Sequence, residues 1–119
     1  MGVVDGYVTQ RRRQMGGAIS DQTQAIKLKP DFAEAWNRRG DAYAALGDDD
    51  RALADYDRAI ALNPYQFGAM ERCADIWMTR SNYRKAADYF RRALDLNPNL
   101  SQAAEALHAL EEKLENDRI

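Results

Sequence analysis

The sequence predicts an all-α fold made of stacked helix pairs, and two observations lead to this prediction. The first is a repeat: the stretch from residue 33 to residue 64 recurs 34 residues later, a period typical of stacked two-helix units. The second is a composition rich in alanine with only three prolines. The residues that match across the period are Ala35/Ala69, Arg38/Arg72, Asp41/Asp75, Tyr43/Trp77, Ala52/Ala86, Tyr56/Phe90, Arg58/Arg92, Ala59/Ala93, Leu62/Leu96, Asn63/Asn97 and Pro64/Pro98.

The totals narrow the class of protein. A chain of 119 residues is enough for one domain, which we expect to span residues 1–119. The net charge of −2 gives no general attraction for nucleic acid. No apolar run approaches the roughly 18 residues of a membrane span, and the start lacks the apolar stretch of a secretory signal. The single cysteine, Cys73, excludes an internal disulfide and favours a reducing compartment, so we expect a cytoplasmic protein.

Residues 1–32 are predicted to form a partial repeat. Helical spacing of apolar residues allows a short amphipathic helix that ends at the arginines 11–13 and is followed by a turn at Gly16-Gly17. A frayed terminus is the alternative. From residue 18 onward the sequence is in phase with the second helix of the later unit, which predicts a second helix here as well. The residues in phase are Ala18, Ala25, Ile26, Leu28 and Pro30, which match Ala52, Ala59, Ile60, Leu62 and Pro64.

The clearest unit spans residues 33–66. Its first helix is predicted at 33–46 with Asp31 as the N-cap, and its second at about 50–62 with Asp48 as the N-cap. Gly47 suits the left-handed conformation that ends a helix. Gly40 is expected to be small because two helices joined by so short a turn must approach closely.

The unit at residues 67–100 follows the same plan, with Ser81-Asn82 in place of the Gly-Asp turn and a second helix at about 83–96. Residues 101–119 continue the phase for one helix only. Glu111 and His108 there replace an aromatic and a small residue, which predicts a capping helix with nothing packed on its outer side. The residues expected to carry the core are Trp36, Tyr43, Tyr56, Ile60, Leu62, Ile76, Trp77, Phe90 and Leu94.

Several residues of the clearest unit stand at the spacings of a known repeat. They are Trp36, Gly40, Tyr43, Ala52, Tyr56, Ala59 and Pro64. This pattern resembles the tetratricopeptide repeat (TPR) family, closely over residues 33–64, well over 65–98 and as half a unit over 18–32. The resemblance implies antiparallel helix pairs wound into a right-handed superhelical stack with a C-terminal capping helix. It also implies a non-catalytic adaptor or scaffold whose first helices line a concave groove for a peptide segment or helix of a partner.

On this layout the first helices supply the candidate peptide-binding residues. They are Glu34, Asn37, Arg38, Asp41, Glu71, Arg72, Asp75, Met78, Thr79, Gln102 and Glu105. The spacing of Arg38/Asp41 and of Arg72/Asp75 also allows ion pairs within one helix, so a solvated charged face is the alternative. As binding residues, the arginines and Asn37 would hold a ligand backbone or carboxylate, and the acidic residues would meet cationic side chains. We therefore expect a basic or mixed-charge peptide partner.

A second mode known in the family is less favoured. Some TPR domains grip the C-terminal carboxylate of chaperones with basic groove residues. Here Glu34, Gly68 and Gln102 stand where a clamp lysine is expected, and Glu71 adds a charge that repels a carboxylate.

No catalytic, cofactor-binding or metal-binding residue is predicted. Cys73 is expected to fill the core and His108 to lie exposed on the cap, and the sequence has neither a zinc-ligand cluster nor a phosphate-binding loop. Two alternatives to a simple adaptor stay open. One is self-assembly into a homo-oligomer through the end left by the weak first unit. The other is an accessory module of a larger enzyme or signalling protein.

Overall fold

A computed structural model describes the backbone of residues 3–117 and the side chains of residues 6–117. Over this range the chain forms six helices and no strand, which confirms the predicted all-α helical-repeat fold class. The helices are α1 (Val3–Leu28), α2 (Ala33–Ala45), α3 (Asp49–Leu62), α4 (Phe67–Thr79), α5 (Tyr83–Leu96) and α6 (Ser101–Asn116). They form two compact units: Met1–Leu62 with α1, α2 and α3, and Asn63–Ile119 with α4, α5 and α6.

The predicted turn at Gly16-Gly17 is wrong, because α1 runs unbroken through both glycines for 26 residues. A glycine inside a helix costs only about 1 kcal/mol relative to alanine, and no proline interrupts this stretch. A chain reversal would also need an upstream helix with apolar surface to bury. The upstream side chains that the structure describes, residues 6–14, are exposed instead, with Tyr7 at 63%. We call the first helix of each two-helix unit a first-type helix and the second a second-type helix. The segment before residue 33 is therefore a single second-type helix with an N-terminal extension.

The turns inside the two full units follow the predicted plan. Gly47 has a φ of 80° and Ser81 a φ of 61°, so the chain reverses through the left-handed region at both turns. The backbone N–H of the third residue of each following helix is then capped: Asp48 Oδ1 accepts from Arg51 N and Asn82 Oδ1 accepts from Lys85 N, both at 3.3 Å.

The N-cap predicted for α2 is wrong. Phe32 and not Asp31 is the N-cap residue, and its side chain makes no capping hydrogen bond. A side-chain hydrogen bond stabilises the start of α2 instead: the indole Nε1 of Trp36 donates to the Pro30 carbonyl at 2.9 Å. This bond ties the first turn of α2 to the loop before it.

Close helix approach explains the glycine in the middle of α2. A Cβ added at Gly40 would lie 2.8 Å from Cε1 and 2.9 Å from Cδ1 of Tyr56, which is only 1% exposed. The Tyr56 hydroxyl donates to Asp41 Oδ1 at 2.6 Å, so the ring is held at both ends. The predicted packing reason for Gly40 is confirmed.

Replacing Gly40 by alanine is expected to lower the free energy of unfolding by about 1–2 kcal/mol, because overpacking outweighs the gain in helix propensity. Urea denaturation followed by circular dichroism measures this. Gly17→Ala is the matched control: a Cβ there meets nothing within 4 Å, so the same change should stabilise the protein by about 0.5–1 kcal/mol. Equal effects of the two substitutions would contradict the steric explanation.

The core of the second unit is one cluster that joins its three helices. Ala74 of α4, Phe90 of α5 and Leu110 of α6 are buried together, with Trp77 packed against them. Of the residues predicted to carry the core of the chain, Tyr56, Ile60, Ile76 and Phe90 are buried. The others are half-buried: Trp36, Tyr43, Leu62, Trp77 and Leu94.

The capping helix α6 has the exposed outer side that the sequence predicts. The side chain of His108 is 78% exposed, and that of Glu111 is 51% exposed. None of the helices in the described part of the chain is long and apolar enough to cross a membrane.

Candidate functional site

The candidate residues of α2 lie on one side of the helix, at spacings of three and four residues. Arg38 Nε donates to Glu34 Oε1 at 3.1 Å, with both side chains largely exposed. Asn37 is 9% exposed, and its Oδ1 has no hydrogen-bond partner within the described residues. Asp41 is half-buried and accepts the Tyr56 hydroxyl. This face therefore carries the exposed Arg38–Glu34 ion pair beside Asn37 Oδ1, an acceptor without a hydrogen bond within the described residues.

The candidate residues of α4 form the corresponding face of the second unit. Arg72 and Asp75 are exposed and act on each other electrostatically, as the sequence spacing predicts. A Cβ added at Gly68 would lie 3.3 Å from Arg72 Nη1, so glycine leaves room for this guanidinium. Met78 is exposed, and the Thr79 hydroxyl donates to the Asp75 carbonyl at 3.0 Å. Glu71, the remaining candidate on this helix, is half-buried.

The pKa of Asp75 is raised above its ordinary value. The main cause is desolvation, which disfavours the charged carboxylate, and the nearby positive charge of Arg72 opposes this effect. The carboxylate is still exposed, so the energetic consequence is small. A cationic group from a ligand would further stabilise the ionised form.

The stability of the protein is expected to depend on pH through Asp75. A carboxyl group with a raised pKa in the folded state stabilises the fold most below its unfolded pKa of 3.8, and that contribution is lost as pH rises through the folded pKa. Asp75→Asn removes the ionisation. The melting temperature of this variant should therefore rise relative to the parent between about pH 4 and about pH 7. A difference that stays constant or shrinks with pH would contradict the raised pKa.

The two candidates on the capping helix, Gln102 and Glu105, are exposed. They lie in the first turns of α6, which shares its buried cluster with α4 and α5. The structure thus places the candidate residues on three first-type helices, one in the first unit and two in the second.

A buried ion pair in the first unit escaped the sequence analysis. Arg39 Nε and Nη2 donate to the two carboxylate oxygens of Asp55, both at 2.8 Å, and Nη1 donates to the Thr23 hydroxyl at 3.2 Å. The side chains are 17% and 5% exposed. The guanidinium also lies 5.1 Å from the Trp36 ring and 5.8 Å from the Tyr43 ring.

This network joins α1, α2 and α3. The hydrogen bond to Asp55 raises the pKa of Arg39 against the opposing effect of burial, so the guanidinium stays charged. Comparison of the repeats hides the pair, because the second unit has Cys73 and Tyr89 at the matching positions. The antiparallel register of α2 and α3 is the signal that would have found it.

The single cysteine and the single histidine of the sequence lie where a structural role explains each of them. Cys73 is completely buried in α4, and His108 Nε2 lies 3.3 Å from Glu112 on the exposed side of α6. The predicted roles of core filling and surface capping are confirmed for these two residues. Within the described range, no group of three or more histidine, cysteine or acidic side chains is arranged to hold a metal ion.

Family models of the tetratricopeptide repeat match residues 33–66 and residues 74–100. The chain belongs to the TPR family. A TPR repeat-containing protein of Rhizobium etli is 34% identical over 101 residues, which are 85% of this chain and 50% of that protein. The chain therefore spans about half the length of this relative.

Solved TPR structures share the fold. The Arabidopsis OM64 TPR domain superimposes with a TM-score of 0.77 at 27% identity, covering 91% of this chain and 89% of that one. The first TPR of Spaghetti (RPAP3), bound to the HSP90 peptide SRMEEVD, gives a TM-score of 0.78 at 24% identity, with coverages of 92% and 86%. The Sgt2 TPR domain of Aspergillus fumigatus gives 0.75 at 21% identity, with coverages of 97% and 78%.

Proposed function

We propose that this TPR chain is a non-catalytic protein-interaction module that binds a basic or mixed-charge peptide segment on its first-type helices. The observation that carries the proposal is that each of these helices exposes an arginine near a carboxylate: Arg38 Nε lies 3.1 Å from Glu34 Oε1, and the positive charge of Arg72 acts on Asp75. Exposed ion pairs contribute little to stability. A charged group of a ligand can therefore replace one partner of such an ion pair with little loss of stability.

The surroundings of these pairs support a peptide as the ligand. Asn37 Oδ1 is an acceptor without a partner in the described range, and a backbone N–H is the donor that every peptide carries. Met78 offers an exposed and adaptable apolar contact. The related TPR domain bound to an HSP90 peptide supports peptide binding by this fold.

The charges favour a partner with cationic side chains over an acidic C-terminus. Glu34 and Glu71 repel a carboxylate, and Glu34 already occupies the guanidinium of Arg38. The acidic peptide SRMEEVD is thus a useful negative probe. We expect it to bind more weakly than peptides containing lysine or arginine.

Panning a random peptide library against the protein, followed by fluorescence anisotropy, tests the proposal. For mixed-charge peptides, whose carboxylate groups the two arginines would hold, Arg38→Glu combined with Arg72→Glu should weaken binding about tenfold or more, equivalent to about 1.4 kcal/mol, while leaving helicity unchanged. Lys27→Glu combined with Arg84→Glu is the matched control, with the same change in net charge on exposed residues of second-type helices. This control should bind like the parent.

Two results would overturn the assignment. One is unchanged binding by the Arg38/Arg72 variant, which would place the peptide elsewhere. The other is equal weakening by the control variant, which would reduce the effect to net charge.

A further inference from the structure

The two full repeats hold equivalent carboxylates in different ways. Asp41 of α2 and Asp75 of α4 stand at the same position of the 34-residue repeat. In the first unit the Tyr56 hydroxyl donates to Asp41 Oδ1 at 2.6 Å, from a side chain that is only 1% exposed. The matching residue of the second unit is Phe90, which has no hydroxyl. The repeat therefore carries a carboxylate fixed by this hydrogen bond in α2 and a carboxylate without it in α4.

Phe90 takes the place of Tyr56 in the packing as well as in the sequence. The ring of Tyr56 lies against Gly40 of α2. Phe90 shares a buried cluster with Ala74, the residue of α4 that matches Gly40. An aromatic ring thus packs against the first-type helix in both units, and the difference at the carboxylate is the hydroxyl alone.

The hydrogen bond from Tyr56 limits what Asp41 can accept from a ligand. It occupies Oδ1 and fixes the orientation of a carboxylate that is already half-buried. An arginine guanidinium binds a carboxylate most strongly in a bidentate pair, with one N–H donating to each oxygen. Such a pair needs both oxygens to turn toward the guanidinium. Asp41 is therefore suited to a single hydrogen bond from a ligand at most.

Asp75 is suited to the bidentate pair. Its side chain is exposed, and none of the described residues donates a hydrogen bond to its carboxylate, on which Arg72 acts through charge. Partial desolvation, which raises the pKa of this carboxyl group, also strengthens its attraction to a cation. Glu71, one turn earlier, adds negative charge, and Met78, one turn later, exposes an apolar surface for the methylene groups of an arginine.

We propose that Asp75 holds an arginine side chain of the bound peptide in a bidentate guanidinium–carboxylate pair, and that Tyr56 and Phe90 confine this pair to α4. The inference rests on the proposed function and names the cationic residue that one position of the site selects. Lysine does not replace arginine there without loss, because its ammonium group is a point charge and not a planar fork. At Asp41 the two residues should be nearly equivalent.

Exchanging each arginine for lysine in the peptides selected by panning tests the inference, with affinity measured by fluorescence anisotropy. We expect one arginine whose exchange weakens binding to the parent protein about fivefold or more. In Asp75→Asn the same exchange should change binding less than about twofold, because the carboxylate that distinguishes the two cations is absent. Asp41→Asn is the matched control and should keep the full loss.

A second pair of variants changes the hydroxyl itself. Phe90→Tyr should reduce the preference for arginine to about twofold, because a hydroxyl then competes for Asp75. Tyr56→Phe should leave the preference at that arginine unchanged. Circular dichroism checks the helicity of both variants. Should Phe90→Tyr lose helicity, the comparison of Asp75→Asn with Asp41→Asn decides alone, because it leaves both aromatic residues in place.

Selected peptides without arginine, a preference that persists in Asp75→Asn, or one that disappears in Asp41→Asn would each overturn the inference. The variant with Arg38→Glu and Arg72→Glu distinguishes this failure from failure of the proposed function. If that variant binds mixed-charge peptides like the parent, both proposals fail. If it binds them more weakly but Asp75→Asn keeps the preference for arginine, only the inference about Asp75 fails.

Discussion

Replacing Asp55 by alanine is expected to lower the free energy of unfolding by about 3–5 kcal/mol. The substitution leaves the Arg39 guanidinium, only 17% exposed, without its two carboxylate acceptors. The cost comes mainly from an uncompensated buried charge and much less from the lost ion pair itself. Urea denaturation followed by circular dichroism measures it.

A double variant separates these two contributions. Arg39→Met combined with Asp55→Leu removes both charges and keeps similar volumes, so its stability should lie within about 1.5 kcal/mol of the parent. The second unit supports this expectation, because it folds with Cys73 and Tyr89 at the same positions. A double variant as unstable as Asp55→Ala would show that the pair itself, and not the orphaned charge, carries the stability.

Replacing Phe90 by alanine is expected to cost about 3–5 kcal/mol, because it opens a cavity where the three helices of the second unit meet. Phe90 is 3% exposed and belongs to the cluster with Ala74 of α4 and Leu110 of α6. These two neighbours belong to separate helices and cannot both move inward to fill the space. Thermal and urea denaturation both measure the loss.

Leu96→Ala is the control on the same helix. Leu96 is 36% exposed, so its truncation should cost less than about 1 kcal/mol. Similar losses for the two variants would contradict the position of Phe90 at the centre of the cluster.

The candidate peptide-binding face shows how far sequence reasoning reached. Helical spacing was enough to place Glu34, Arg38 and Asp41 on one side of α2. It did not show that Arg38 pairs with Glu34, or that Asp41 accepts the Tyr56 hydroxyl. Both outcomes depend on side-chain rotamers and on the neighbouring helix, which spacing along one helix does not specify. The use of this face for binding stays a proposal.

The sequence by itself determined the family, the helix pairs of residues 33–96 and the turn inside each pair. Gly47 at a left-handed position and Asp48 after it are local signals, because each acts within one turn, and the 34-residue period carries the same plan to Ser81-Asn82. Gly40 was also readable, since the close approach of two helices across a short turn follows from the hairpin.

Only the tertiary structure decided the course of α1 and the buried network around Arg39. Whether Gly16-Gly17 turns or continues as helix depends on whether an upstream helix can bury enough apolar surface to pay for the reversal, and local propensity is nearly neutral on that choice. Arg39, Asp55 and Thr23 come from three helices and meet only after these have packed. The strength of their interaction depends on burial by the packed helices, which the identity of the three residues does not specify.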